Sequence, residues 1–177
     1  ANEFSYRSVS NATDLNFATV EKYIGFLKES FMLLTLFLFS YKTKIRFRQN
    51  KKAYCIDTGL RNAVSFTFSE NFGKLAENAV LIELKRRGKD VYYWKDKLGR
   101  EVDFLVREGL KVTELIQVCW RMENPNTKKR ELKGLLAGCE EFKLGSGIVL
   151  TEDEEGEEMI NGIKVNYIPL WKWLLTI

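Results

Sequence analysis

The sequence contains no histidine. That absence excludes Ser-His-Asp and Cys-His catalysis within this chain and removes the commonest zinc ligand. Cysteine is scarce as well: Cys55, Cys119 and Cys139 are the three present, none at C-x-x-C spacing. An odd, scattered set fits a reducing compartment, the cytoplasm, better than a disulfide framework. Long apolar runs are missing too. The longest, Phe31 to Phe39, reads as a buried helix end running into a strand. It falls far short of the roughly 20 residues a membrane-spanning helix needs. No signal-peptide pattern is visible. The chain opens at Ala1 rather than methionine, as a piece of a longer protein would.

What is present describes a globular chain. Of 177 residues, 45% are hydrophobic and 29% charged, enough core for one ordinary domain or two small ones. The net charge of +4 is compatible with an anionic partner without pointing to one.

In the first third, Val20, Tyr23, Ile24, Leu27, Phe31 and Leu34 follow steps of three and four, which predicts a helix, with Asn16 as its cap. Ser8 to Asp14 reads as the tail of a shorter helix and a turn. Phe37 to Phe47 and Lys51 to Ile56 read as two strands. Helix, turn, long helix and β-ribbon is the order of a winged helix-turn-helix, expected over residues 1–65. The ribbon is basic: Lys42, Lys44, Arg46, Arg48, Lys51 and Lys52 occur with no acid among them. Lys42, Lys44, Arg46 and Arg48 would share one strand face. Such a face either contacts nucleic-acid phosphates or is a solvated edge that resists aggregation. Asp57-Thr-Gly59 suits a turn and a helix start.

Residues 66–177 are expected to form a second domain. Phe72, Leu75, Ala76, Ala79, Val80 and Leu84 make a second helical stripe with Glu77 at its margin, closed by Lys85-Arg-Arg-Gly88. Asp90 to Lys95 is an aromatic strand, and Asp96 to Gly99 a turn. Two more strands follow, joined by a turn at Glu108 to Lys111. Alternation sets Glu101 and Asp103 on one face of the first, and Leu115, Gln117 and Cys119 together on the second. Lys128 to Glu141 reads as a helix, Ile148 to Leu150 as a strand and Glu152 to Glu158 as an acidic, solvated loop. Ile163 to Ile168 is a last strand. Pro169 to Leu175 is a closing helix expected to dock Trp171, Leu174 or Leu175. The order is α-β-β-β-α-β-β-α around a mixed sheet.

Glu77 on a helix, Asp103 on the second strand and Gln117-x-Cys119 on the third resemble the restriction-endonuclease-like fold, whose pattern is a helix Glu, then Asp, then Glu-x-Lys. Nearly the whole chain resembles the C-terminal region of a family of prokaryotic P-loop ATPases, in which a winged helix and a nuclease-like domain follow the ATPase module. The residues that carry this are Val20-x-x-Tyr23-Ile-x-x-Leu27, Tyr54-Cys-Ile-Asp-Thr-Gly-Leu60, Ala76-Glu-Asn78, Tyr93-Trp94 and Glu101-Val-Asp-Phe104. No G-x-x-x-x-G-K-[ST] motif occurs, so ATP is not bound by this chain; the resemblance implies an ATPase module as its partner.

Mg²⁺ or Mn²⁺ is the ion such a nuclease uses, and charged oxygen ligands must hold it. The candidate metal and catalytic residues are Glu77, Asp103 and Gln117. Two of the pattern's positions depart. Gln117 offers a neutral carbonyl where a carboxylate is expected. Cys119 is a thiol that is mostly neutral at its ordinary pKa and cannot replace an ammonium. Lys95, Arg100 and Lys111 are the cations near enough in sequence to substitute. Three readings follow: a non-catalytic module that holds nucleic acid or its own ATPase domain, a metal-dependent nuclease with an altered site, and a structural or oligomerisation domain.

Overall fold

The computed structural model describes residues 2–42, 49–64, 72–122 and 125–176, with the backbone alone at Asn62 and residues 125–127. Two compact units result, Ala1–Glu70 and Asn71–Ile177. The boundary expected between residues 65 and 66 lies outside the described residues.

The first unit runs β1 (Asn2–Phe4), α1 (Tyr6–Thr13), α2 (Phe17–Glu29), β2 (Leu33–Phe37), β3 (Lys51–Cys55) and α3 (Thr58–Val64). Its sheet has the order β1-β3-β2, antiparallel throughout. Local chemistry sets the helix starts. Ser5 and Ser8 satisfy each other's backbone N–H at α1. Asn16 Oδ1 accepts from Thr19 N–H at 2.8 Å at α2, and Asp57 Oδ1 from Leu60 N–H at 2.7 Å at α3. The helical stripe expected to reach Leu34 stops at Glu29, and Phe31 takes φ +59°. Leu33 and Leu34 instead pair with Cys55 and Tyr54, because an apolar run satisfies both periodicities and the available ladder decides. The β-structure expected from Phe37 onward runs into residues 43–48, which lie outside the described ones.

The second unit is a six-stranded mixed sheet with helices. It runs α4 (Phe72–Arg86), β4 (Asp90–Lys95), β5 (Glu101–Glu108), β6 (Lys111–Val118), α5 (Pro125–Phe142), β7 (Ser146–Thr151), β8 (Gly156–Ile160), β9 (Ile163–Pro169) and α6 (Leu170–Leu175). Strand order is β4-β5-β6-β7-β9-β8. The β6-β7 and β7-β9 pairs are parallel and the rest antiparallel. Central strands are buried on both faces: Val102, Phe104, Leu105, Val106, Leu115 and Ile116 are all in the core. Gly88 closes α4 at φ +69°, with its N–H donating to Lys85 O and that of Lys89 to Leu84 O.

Two expectations are corrected. The acidic stretch Glu152 to Glu158, read as a loop, is outside any strand through Glu155, but from Gly156 it supplies β8, an edge strand whose Glu157 pairs with Lys164 and whose Glu158 accepts from Tyr167 Oη. Charge on an edge strand blocks further pairing, and this charge hid the strand in the sequence. In α6 the docked side chains are Leu170 and Trp173, while Trp171, Leu174 and Leu175 are exposed. Pro169 is the residue before the helix rather than its first residue.

Candidate functional site

The site grows from the β5-β6 hairpin. Gly109, at φ +59°, and Leu110 make its two-residue turn between the paired Glu108 and Lys111. Further along, Phe104 pairs with Ile116, which sets Asp103 beside Gln117. Helix α5 crosses this hairpin closely, because two glycines let it. A Cβ at Gly134 would lie 2.0 Å from Glu101 O, and one at Gly138 2.8 Å from Leu115 Cδ1. That approach carries Glu131, almost one turn before Gly134, over the Asp103–Gln117 pair.

Gln117 is 3% exposed, and both ends of its carboxamide are engaged. Oε1 accepts from the backbone N–H of Asp103 at 3.1 Å. Nε2 donates to Asp103 Oδ2 at 2.8 Å and to Glu131 Oε2 at 2.6 Å. Asp103 Oδ2 also accepts from Val118 N–H at 3.1 Å. The amide orientation is fixed by its partners. A flip would set N–H against N–H and oxygen against two carboxylates. On its far side, Glu131 Oε1 takes Arg130 Nη2 at 2.5 Å and Nε at 3.1 Å.

Cys119 is buried, and its thiol sits 3.7 Å from Arg121 O. Burial foremost, then the negative charge of Glu131 and Glu154, pushes its pKa up to about 11. A neutral thiol therefore stands where the nuclease pattern has a lysine. The sequence-adjacent cations are engaged elsewhere: Lys95 lies 3.2 Å from Glu101 and Arg100 2.6 Å from Asp96, while Lys111 is exposed at the hairpin turn. Among the described residues, Arg130 reaches the site through Glu131. Glu77 is buried on α4. Among the described residues, no group of three or more acidic or cysteine side chains is arranged to hold a metal ion. The donor set does not fit one either. The Nε2 hydrogens of Gln117 point at the carboxylates a divalent ion would need.

The basic segment divides. Lys42 is exposed, while Lys44, Arg46 and Arg48 lie outside the described residues. Lys51 and Lys52 are in the middle strand of the first sheet, only 8% and 5% exposed. Lys51 Nζ stands 4.7 Å from the Tyr6 ring centroid, and its pKa is lowered by burial and then by Lys28.

Sequence reasoning missed Glu131 and Arg130. The signal was a lone acid in the basic run Lys128 to Lys133, just ahead of two helix glycines four residues apart.

Family comparison separates the same two regions. Residues 72–173 match the model described as Domain of unknown function (DUF4143). The chain belongs to the DUF4143 family. Residues 1–71 match a second model, Domain of unknown function (DUF8612). An uncharacterized protein of Methanocaldococcus jannaschii is 35% identical over 191 residues, covering 99% of this chain and 42% of that protein. One from Haemophilus influenzae is 29% identical over 153 residues, covering 86% of this chain and 36% of its own. The chain thus spans about two fifths of the length of the curated relatives it matches. No solved structure matches. Among the described residues, no helix of this DUF4143 member is long and apolar enough to cross a membrane.

Proposed function

We propose that this chain is a non-catalytic binding module with a degenerate nuclease-like site. One observation carries the reading: the Gln117 amide nitrogen lies between Asp103 and Glu131 and donates to both. Metal-assisted hydrolysis needs charged oxygens free to hold an ion and a nearby cation to meet the developing charge. Here the carboxylates are tied by hydrogen bonds and the lysine position is a buried thiol. The module's partner is nucleic acid, held through Lys42, Lys44, Arg46 and Arg48, or the ATPase module that the resemblance implies.

A cleavage assay tests the first half. Labelled single-stranded, duplex and branched DNA, incubated with Mg²⁺ or Mn²⁺, should stay intact with this chain and with its Asp103→Ala variant. Metal-dependent cutting that vanishes in the variant would overturn it. Reversing Lys44, Arg46 and Arg48 together to Glu tests the second half. DNA affinity should fall and its salt dependence flatten. Unchanged binding would remove nucleic acid as the ligand of that segment.

A further inference from the structure

Helix α2 buries one side and leaves a second apolar side in water. Val20 and Ile24 face the core of the first unit. Tyr23, Phe26 and Leu27 are 56%, 50% and 41% exposed, and Phe31 and Met32, just past the helix end, are 71% and 43% exposed. Phe31 also holds the left-handed backbone conformation that bulky residues rarely adopt. At about 200 Å² per side chain, Tyr23, Phe26 and Leu27 leave roughly 300 Å² of mostly apolar helix surface uncovered. Two such faces give about 600 Å², the size of a weak, transient contact rather than a permanent one. Exposed apolar surface of this kind marks association sites.

The occupant is written in the flanking charges. Thr19, Tyr23, Phe26 and Ser30 follow steps of four, three and four, one seam along the helix. Lys22 and Glu29 flank that seam on the same side. They are seven residues apart, about two turns or roughly 10 Å, too far to pair within one helix. Among the described residues neither forms an ion pair, and Lys22 Nζ rests 5.6 Å from the Phe26 ring. In an antiparallel pair of identical helices, like flanks face each other. With the crossing centred between Tyr23 and Phe26, Tyr23 of one copy meets Phe26 of the other, and Lys22 comes within reach of the other's Glu29. The two-fold axis repeats the pair. The face is thus complementary to itself in shape period and in charge.

We infer that α2 is the contact of a two-fold symmetric homodimer, with Tyr23 and Phe26 as its centre and Lys22–Glu29 pairs at its rim. An interface this small belongs to the weak, transient class, so association is concentration-dependent.

Sedimentation velocity of the 177-residue chain, from about 1 to 200 μM, tests this. A monomer–dimer equilibrium is expected. Phe26→Glu should leave a monomer throughout, with an unchanged far-UV circular dichroism spectrum because the side chain is exposed. Lys22→Glu alone should weaken dimerisation about tenfold by opposing two acids twice. Adding Glu29→Lys should restore it. A monomer at every concentration would overturn the inference and assign the face to another occupant. A dimer indifferent to Phe26→Glu would move the interface elsewhere. Failure of the double swap to restore a dimer weakened by Lys22→Glu would overturn the antiparallel arrangement.

Discussion

Replacing Gln117 with Glu keeps the side chain's length and removes both N–H donors. In the native chain those donors reach Asp103 and Glu131 at 2.8 and 2.6 Å. A hydrogen bond to a charged group contributes about 1.5–3 kcal/mol. The substitution also sets a third carboxyl against two others, at a position only 3% exposed. The combined loss is about 3–5 kcal/mol near neutral pH, the range for leaving a buried charge without its partner. For a unit of this size that lowers Tm by roughly 10–20 °C. The sign with pH follows from the direction of the introduced group's shift. Burial and two neighbouring carboxylates raise its folded-state pKa above the ordinary value of about 4.3. Its penalty is therefore small below that value and grows as pH rises through the raised one. Thermal unfolding followed by circular dichroism at pH 5 and pH 8 measures both effects. The deficit should be larger at pH 8. An unchanged Tm at pH 8 would refute the reasoning, since it would mean that the bridging amide contributes nothing.

Other outcomes follow from the same geometry. Millimolar Mn²⁺ should raise the Tm of Gln117→Glu, which has three carboxyls and no amide donor between them, and leave the native Tm unchanged; equal shifts in both would show binding elsewhere. Gly134→Ala gains about 1 kcal/mol of helix propensity but drives a methyl to 2.0 Å from Glu101 O. Backbone meets backbone there, so the clash wins, and urea titration should show a net loss of about 2 kcal/mol or more. Gly25→Ala in α2, where a Cβ meets nothing within 4 Å, should gain up to about 1 kcal/mol in the same titration. Glu83 is held down to about pKa 2, first by its hydrogen bond from Arg86 and then by that from Arg87. Its contribution is present above the ordinary value of about 4.5 and is lost as pH falls from there towards 2. Glu83→Gln should cost about 1–2 kcal/mol at pH 7, limited because Arg86 is 64% exposed, and the gap to the native chain should close on acidification.

The hairpin half of the site was legible in the sequence as two strands, because their determinants are local. Alternation over two strands and a glycine turn bring the two strands together, but the turn's own register would set Asp103 opposite Ile116; the register shift between Val106 and Arg107 moves it opposite Gln117. Glu131 was not legible, because its position depends on how near α5 comes to β5. Gly134 and Gly138 are plain in the sequence, but what each of them touches is Glu101 O and Leu115 on other elements. The end of α2 failed for a similar reason. Its apolar spacing continues past Glu29, and only the ladder from Leu33 and Leu34 to Tyr54 and Cys55 turns the chain into a strand. The acidic edge strand β8 was masked because solvated charge is the mark of a loop and of a protected sheet edge alike.

The same distinction governs how the departures from the nuclease pattern are read. Counted along the sequence, Gln117 is a missing charge and Cys119 a missing cation. A missing charge alone would leave Asp103 and Glu131 as two like charges facing each other with no donor between them. Gln117 resolves this with one side chain. Its nitrogen gives each acid a donor, its oxygen satisfies the Asp103 N–H, and Arg130 neutralises the far side of Glu131. A glutamate at 117 would need a cation between the three acids to reach the same balance, and glutamine needs none. Under the reading proposed above, what closes the site is a hydrogen-bond donor carried by the chain rather than an ion from solution. A module built this way keeps the packing of α5 on its sheet whether or not metal is present.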